Sequence, residues 1–264
     1  MEIFSMFVYP DVMAFVFGPI IVICIPLWFV CKAKLNVLFR DLGVPVALFF
    51  SGVGMTGMVI NITDVKEYGP ATGINLLPII YGGVVSALGY FSTFKRSEPS
   101  SQNNQQTAGW KAITFILVNF LGFILLAIQG AADLEAFLNP VALVVFVTTI
   151  IAAILLSDSN YHVEVLCQAS LLSSMISVVL GLVVLYRSFI GEGLNEGMYE
   201  GLSIATNGLN YGLLSYICIY IVSYKFGTTD RIDAPLMNWH WLEVTGFLIF
   251  MFFAPETLRE SLLH

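Results

Sequence analysis

The sequence predicts an all-α, polytopic membrane protein of about eight transmembrane helices in two tandem four-helix halves, residues 1–132 and 133–264. Three observations predict it. Of 264 residues, 58% are apolar and 11% charged, against roughly 25% charged in an average soluble domain. A soluble surface cannot hide that much apolar side chain, so the bilayer is the solvent for much of the chain. Apolar runs of membrane-crossing length recur along the sequence. Finally, Gly69–Gly89 (GPATGINLLPIIYGGVVSALG) and Gly201–Tyr216 (GLSIATNGLNYGLLSY) share a Tyr-Gly step, Tyr81-Gly82 and Tyr211-Gly212, offset by 130 residues. Two such stretches half a chain apart point to a duplicated unit.

Roughly 20 apolar residues cross a bilayer as a helix. The expected spans are Val12–Val30, Val44–Ile62, Ala71–Phe94, Trp110–Gln129, Phe137–Leu156, Val163–Tyr186, Gly201–Tyr224 and Trp239–Ala254. The links between them alternate in charge. Lys32, Lys34 and Arg40 separate spans 1 and 2, Lys95, Arg96 and Lys111 separate spans 3 and 4, and Lys225 and Arg231 separate spans 7 and 8. The other links hold Asp64 and Glu67 with a single Lys66, Asp133 and Glu135, and Glu192, Glu196 and Glu200, while Ser157–His162 carries no Lys or Arg and is silent. Basic links belong on the cytoplasmic side, which puts both termini outside and both halves in one orientation. Arg187 is the misfit: it can pair with the glutamates of that link, or its long stem can snorkel. The polar tract Ser97–Thr107 reads as a cytoplasmic loop.

Composition also excludes. A formal charge of −7 lacks the basic face that nucleic acid requires. The four cysteines have no CxxC spacing, and His162 and His240 do not make a haem cage, so no metal or cofactor is expected. No GxSxG, HExxH or paired-carboxylate constellation indicates an enzyme.

Polarity inside the spans is modest: Ser51 and Thr56 in span 2, Asn75 in span 3, Ser173, Ser174 and Ser177 in span 6, and Thr206, Asn207 and Asn210 in span 7. Buried amides and hydroxyls need partners. They line a polar path, contact a partner helix, or join helices within the chain. Pro78 frees a carbonyl in mid-span. Gly208-xxx-Gly212, Gly52-xxx-Thr56 and Gly82-xxx-Ser86 are small-residue steps that let backbones approach. Gly82, Gly208 and Gly212 are therefore expected at packing seams. Ser51, Thr56, Asn75, Pro78, Tyr81, Ser177, Thr206, Asn207, Asn210 and Tyr211 are expected at a pore or partner-helix surface.

Asn61–Phe91 (NITDVKEYGPATGINLLPIIYGGVVSALGYF) resembles the motility branch of the MotA/TolQ/ExbB proton-channel family through Gly57, Asn61, Asp64, Gly69, Pro70, Ala71, Tyr81 and Gly82. The second half is similar to its biopolymer-transport branch at Gly181, Ser188, Phe189, Ile190, Gly191, Gly201, Gly212 and Leu213. The resemblance covers roughly 50 residues of each half and its motifs are glycine and apolar residues, so it is moderately specific. It implies a helix-caging subunit of a stator-like, ion-driven oligomer, ringed around single-span partners that supply an intramembrane acid. Two departures matter. Gly54, Ile79, Val178 and Leu209 stand where the family's threonines would be, which counts against conduction, and the short links Lys32–Arg40 and Ser157–His162 replace the family's long cytoplasmic region, which removes the surface that would engage a rotor. Two other functions fit the same residues: a small secondary transporter with a midplane site, or a non-conducting membrane assembly factor.

Overall fold

A computed structural model describes residues 9–61, 65–94, 107–157, 162–188 and 196–227. Among them the chain is all-helical: α1 (Pro10–Cys31), α2 (Leu35–Asn61), α3 (Val65–Phe94), α4 (Trp110–Ala131), a 3-10 turn (Leu134–Phe137), α5 (Pro140–Leu156), α6 (His162–Ser188) and α7 (Glu196–Phe226). Five of these, α1 to α4 and α6, are long and apolar enough to cross a membrane. The chain is thus a polytopic membrane protein by length and composition.

The expected count of eight is not reached among the described residues, for three reasons. α5 has only 17 residues, about 25 Å of helix against a hydrocarbon core of about 30 Å. α7 has 31 residues, ample length, but its amides and hydroxyls make it less apolar than the five. A helix enclosed by other helices need not be apolar in the way a lipid-facing one must. Span Trp239–Ala254, with His240 and Glu243, lies outside the described residues, as do Asp64 and the tract 97–106.

Two antiparallel hairpins, α2–α3 and α6–α7, make the most extensive contacts. α2 lies at the centre, packed on α3, α7, α1 and α4, and 72% of its apolar window is buried. α5 rests on α6 and α7. α2 runs antiparallel to α3, since Gly43 meets Gly82 and Gly54 meets Asn75. It is antiparallel to α7 as well, since Asp41 meets Tyr220 and Gly52 meets Asn210. Consequently α3 and α7 point the same way.

The element bounds repeat. α1 and α5 begin at Pro10 and Pro140, 130 residues apart. In both, proline occupies the first turn, where its missing N–H leaves no bond unmade. Asn139 caps α5 by accepting the Ala142 N–H at 3.0 Å. α3 and α7 begin at residues 65 and 196, 131 apart.

Candidate functional site

Glycine makes each hairpin seam possible. A Cβ at Gly82 would strike the Gly43 carbonyl oxygen and the Ala47 side chain, and one at Gly212 would strike the Ser170 carbonyl and the Ser174 hydroxyl. Gly208 lies against Ser177, and Gly201 against Gly181. The two seams share a register. Gly43·Gly82 in the first becomes Ser173·Gly212 in the second, and Ser51·Asn75 becomes Gly181·Ala205, each residue displaced by 130. Without a hydrophobic drive in lipid, this close backbone approach supplies the packing energy.

The candidate pore residues lie largely in these seams. Ser51 donates to the Asn75 carbonyl, in the same turn as the carbonyl of Ile74 that Pro78 leaves without its helical N–H. Thr56 and Thr206 donate back into their own helices, to Gly52 at 3.1 Å and Leu202 at 2.9 Å. Asn75 donates through Nδ2 to Met58 Sδ at 3.6 Å and, with Gly54 and Pro78, borders a cleft of about 200 Å³ among α1 to α4. That cleft is otherwise lined by apolar side chains such as Phe15, Phe50 and Ile74.

The two tyrosines brace their hairpins against the preceding helix. Tyr81 stacks on Phe17 of α1 with ring centroids 6.0 Å apart, and Tyr211 meets Phe146 of α5 edge-on at 6.4 Å. Tyr211 also donates to the Phe137 carbonyl at 2.7 Å and accepts the Asn139 N–H at 2.9 Å. Asn207 Nδ2 donates to the Ala136 carbonyl at 3.0 Å. Together they tie the turn before α5 to the middle of α7.

What remains polar and unspent sits where α7 meets α2 and α6. Both amide atoms of Asn210, Asn207 Oδ1 and Ser177 Oγ are buried and meet no hydrogen-bond partner among the described residues. Asn210 projects against Gly52, where any side chain would collide with it. Uncompensated buried polar atoms of this kind mark a place where a polar group belongs.

Sequence reasoning missed Asp41. A span 2 that starts at Val44 leaves Asp41 outside it, whereas α2 begins at Leu35 and buries Asp41 between α2 and α7. Arg40 grips it with both arms, Nε to Oδ1 at 2.7 Å and Nη2 to Oδ2 at 3.2 Å, and Tyr220 donates to Oδ2 at 3.0 Å. Tyr220 stands in a buried file with Tyr216 and Tyr224, ring centroids 6.0 and 5.8 Å away. Beside it, the Ser86 hydroxyl of α3 accepts the Val44 N–H at 3.1 Å and donates to the Arg40 carbonyl at 3.0 Å, a pair an unbroken helix joins directly. Pro45 follows immediately. The available signal was Leu38 and Leu42, apolar at helical spacing ahead of the expected start.

All four cysteines are unpaired, and no metal-holding group of three His, Cys, Asp or Glu occurs among the described residues. Comparison with family models, curated proteins and solved structures returns no match, so the site stands on its own geometry.

Proposed function

We propose that the chain is a membrane-embedded scaffold subunit of a stator-like complex, built from two tandem copies of one helical unit, residues 1–132 and 133–264, in the bacterial inner membrane. It holds single-span partner helices in an oligomeric assembly, and any ion path needs a carboxylate from such a partner. The observation that carries this is where the hydroxyls go. Ser51 donates to a carbonyl of the neighbouring α3, and Thr56, Thr206, Ser173 and Ser174 donate to carbonyls of their own helices, so these hydroxyls are spent on the backbone rather than offered to a file of water or ions. Asp41, the acid buried between α2 and α7, is neutralised by Arg40 near the start of α2, a structural tie rather than a relay.

The outer faces agree. Ile80, Val84 and Leu88 stand in line on α3, and Val144, Val147, Ile151 and Leu155 on α5, all exposed and apolar. Lipid satisfies such faces, and so does a partner helix. The repeated register of the two hairpins and the common direction of α3 and α7 support the tandem reading.

The unpartnered amides of Asn207 and Asn210 favour a second reading, a small transporter whose polar solute sits at the α2–α6–α7 junction. The mass of the complex extracted from native membranes separates the two. Discrete additional single-span subunits are expected; a lone monomer contradicts the scaffold and favours the transporter.

A further inference from the structure

At the end of the bundle away from Asp133, the link between α1 and α2 and the end of α3 enclose a cleft of about 680 Å³. Trp28, Lys32, Lys34, Asn36 and Ser92 supply its functional side chains, and among the described residues no carboxylate lines it. In a chain of net charge −7 with only 11 Lys and Arg, two lysines at one mouth are a local concentration of positive charge. Neither is ion-paired among the described residues; Arg40, close by, is committed to Asp41.

The backbone adds an independent observation. Lys32 has φ 52° and ψ 29°, and it is the one non-glycine residue with positive φ among the described residues. Its N–H closes α1 on the Leu27 carbonyl, a position usually taken by glycine or asparagine because a Cβ is disfavoured there. Non-glycine residues held in that conformation cluster at ligand clamps.

Apolar surface leads to the mouth from both sides. Ile21, Ile25, Trp28 and Phe29 are exposed along the last turns of α1, and Leu88 and Phe91 along the end of α3. Trp28 and Phe29 lie with ring centroids 4.5 Å apart, and the amphipathic indole of Trp28 is of the kind that settles at headgroup depth. A ligand for this cleft therefore carries an anionic head for the lysines and acyl chains for the flanking stripes.

We propose that the cleft binds an anionic phospholipid. Lys32 and Lys34 engage its phosphate, Asn36 and the indole of Trp28 border the headgroup, and the acyl chains run along α1 and the end of α3. Basic pockets between transmembrane helices recognise anionic headgroups in this way.

The full chain in zwitterionic detergent is titrated with short-chain phosphatidylglycerol and, separately, phosphatidylcholine. Phosphatidylglycerol binds more tightly, and a juxtamembrane lysine near the headgroup is worth about fivefold in affinity. Lys34→Gln therefore loses about fivefold and Lys32→Gln with Lys34→Gln about 25-fold, whereas Lys111→Gln, the same charge removed outside the cleft, changes nothing. Lys32→Gly relieves the left-handed backbone, so it raises thermal stability without lipid while losing about fivefold in lipid affinity. It keeps the proposal testable if the double variant does not fold. Equal affinity for the two lipids, or full phosphatidylglycerol preference in Lys32→Gly and Lys34→Gln, overturns the proposal. Displacement of phosphatidylglycerol by equimolar inorganic phosphate overturns the lipid and makes the site one for a free anion.

Discussion

Adding one methyl group at Gly82 and at Gly212 tests whether the two hairpins are the same device. At each position the new Cβ falls on a backbone carbonyl, that of Gly43 in the first seam and of Ser170 in the second. A carbonyl cannot rotate away as a side chain can, so the helices must part. Overpacking costs about 1–3 kcal/mol, and with a rigid obstacle the upper part of that range applies. Alanine recovers about 0.5–1 kcal/mol of the helix penalty of glycine. The net loss is about 2 kcal/mol at either site, a large share of a typical folding free energy. Gly83→Ala and Gly122→Ala are the controls: a Cβ at either meets nothing within 4 Å, so only the gain of about 0.5–1 kcal/mol remains. Unfolding of the purified protein by sodium dodecyl sulfate, followed by helical circular dichroism, reads all four. The expected order places Gly83→Ala and Gly122→Ala at or above the unaltered protein, with Gly82→Ala and Gly212→Ala below it by similar amounts. Tolerance of Gly212→Ala with loss in Gly82→Ala would end the equivalence of the seams, and tolerance of both would mean the helices do not meet there.

Two further outcomes follow from the same geometry. Asp41→Leu removes the carboxylate that Arg40 grips at the α2–α7 contact and destabilises by about 3 kcal/mol, whereas Tyr220→Phe keeps that ion pair, removes the hydroxyl bonded to the carboxylate and costs about 1.5–3 kcal/mol; the same detergent titration checks both, and a neutral Asp41→Leu would remove the tie. In a background without the four native cysteines, thiols introduced at Lys34 and Asp133, both exposed, label from opposite sides of the membrane. Asn61 bonds Ala131 at 2.7 Å and so puts the end of α2 beside the end of α4, opposite the α1–α2 link; labelling from one side would break that topology.

The helical membrane class was legible because it rests on composition and on run length, which need no tertiary knowledge. The 130-residue offset was legible for the same reason: Tyr81-Gly82 and Tyr211-Gly212 are visible as text, and Pro10 and Pro140 open α1 and α5 at the same spacing. What the hydroxyls do was not. Ser51 reads identically whether it faces water or the Asn75 carbonyl, because a donor in sequence does not name its acceptor. Asp41 was missed because a hydropathy window stops at the first charges, Arg40 and Asp41, although side by side they neutralise each other and continue into the helix. α7 shows the converse. Its polarity is that of an enclosed helix, with Ser203, Asn207 and Tyr211 bonded to the segment before α5 and Asn207 bonded to Ser203 as well, so hydropathy alone understates how far it is packed against α2 and α6.

The most direct test of a scaffold that supplies no ion path of its own is flux. The purified chain is reconstituted into liposomes under an imposed proton or sodium gradient, alone and together with the single-span subunits that copurify with it. The chain alone is expected to dissipate neither gradient, and flux is expected to appear only with the partner and to vanish when the partner's membrane carboxylate is changed to its amide. Robust flux from the chain alone, abolished by Asp41→Asn or by Glu243→Gln, would contradict the account and place the acid within this protein.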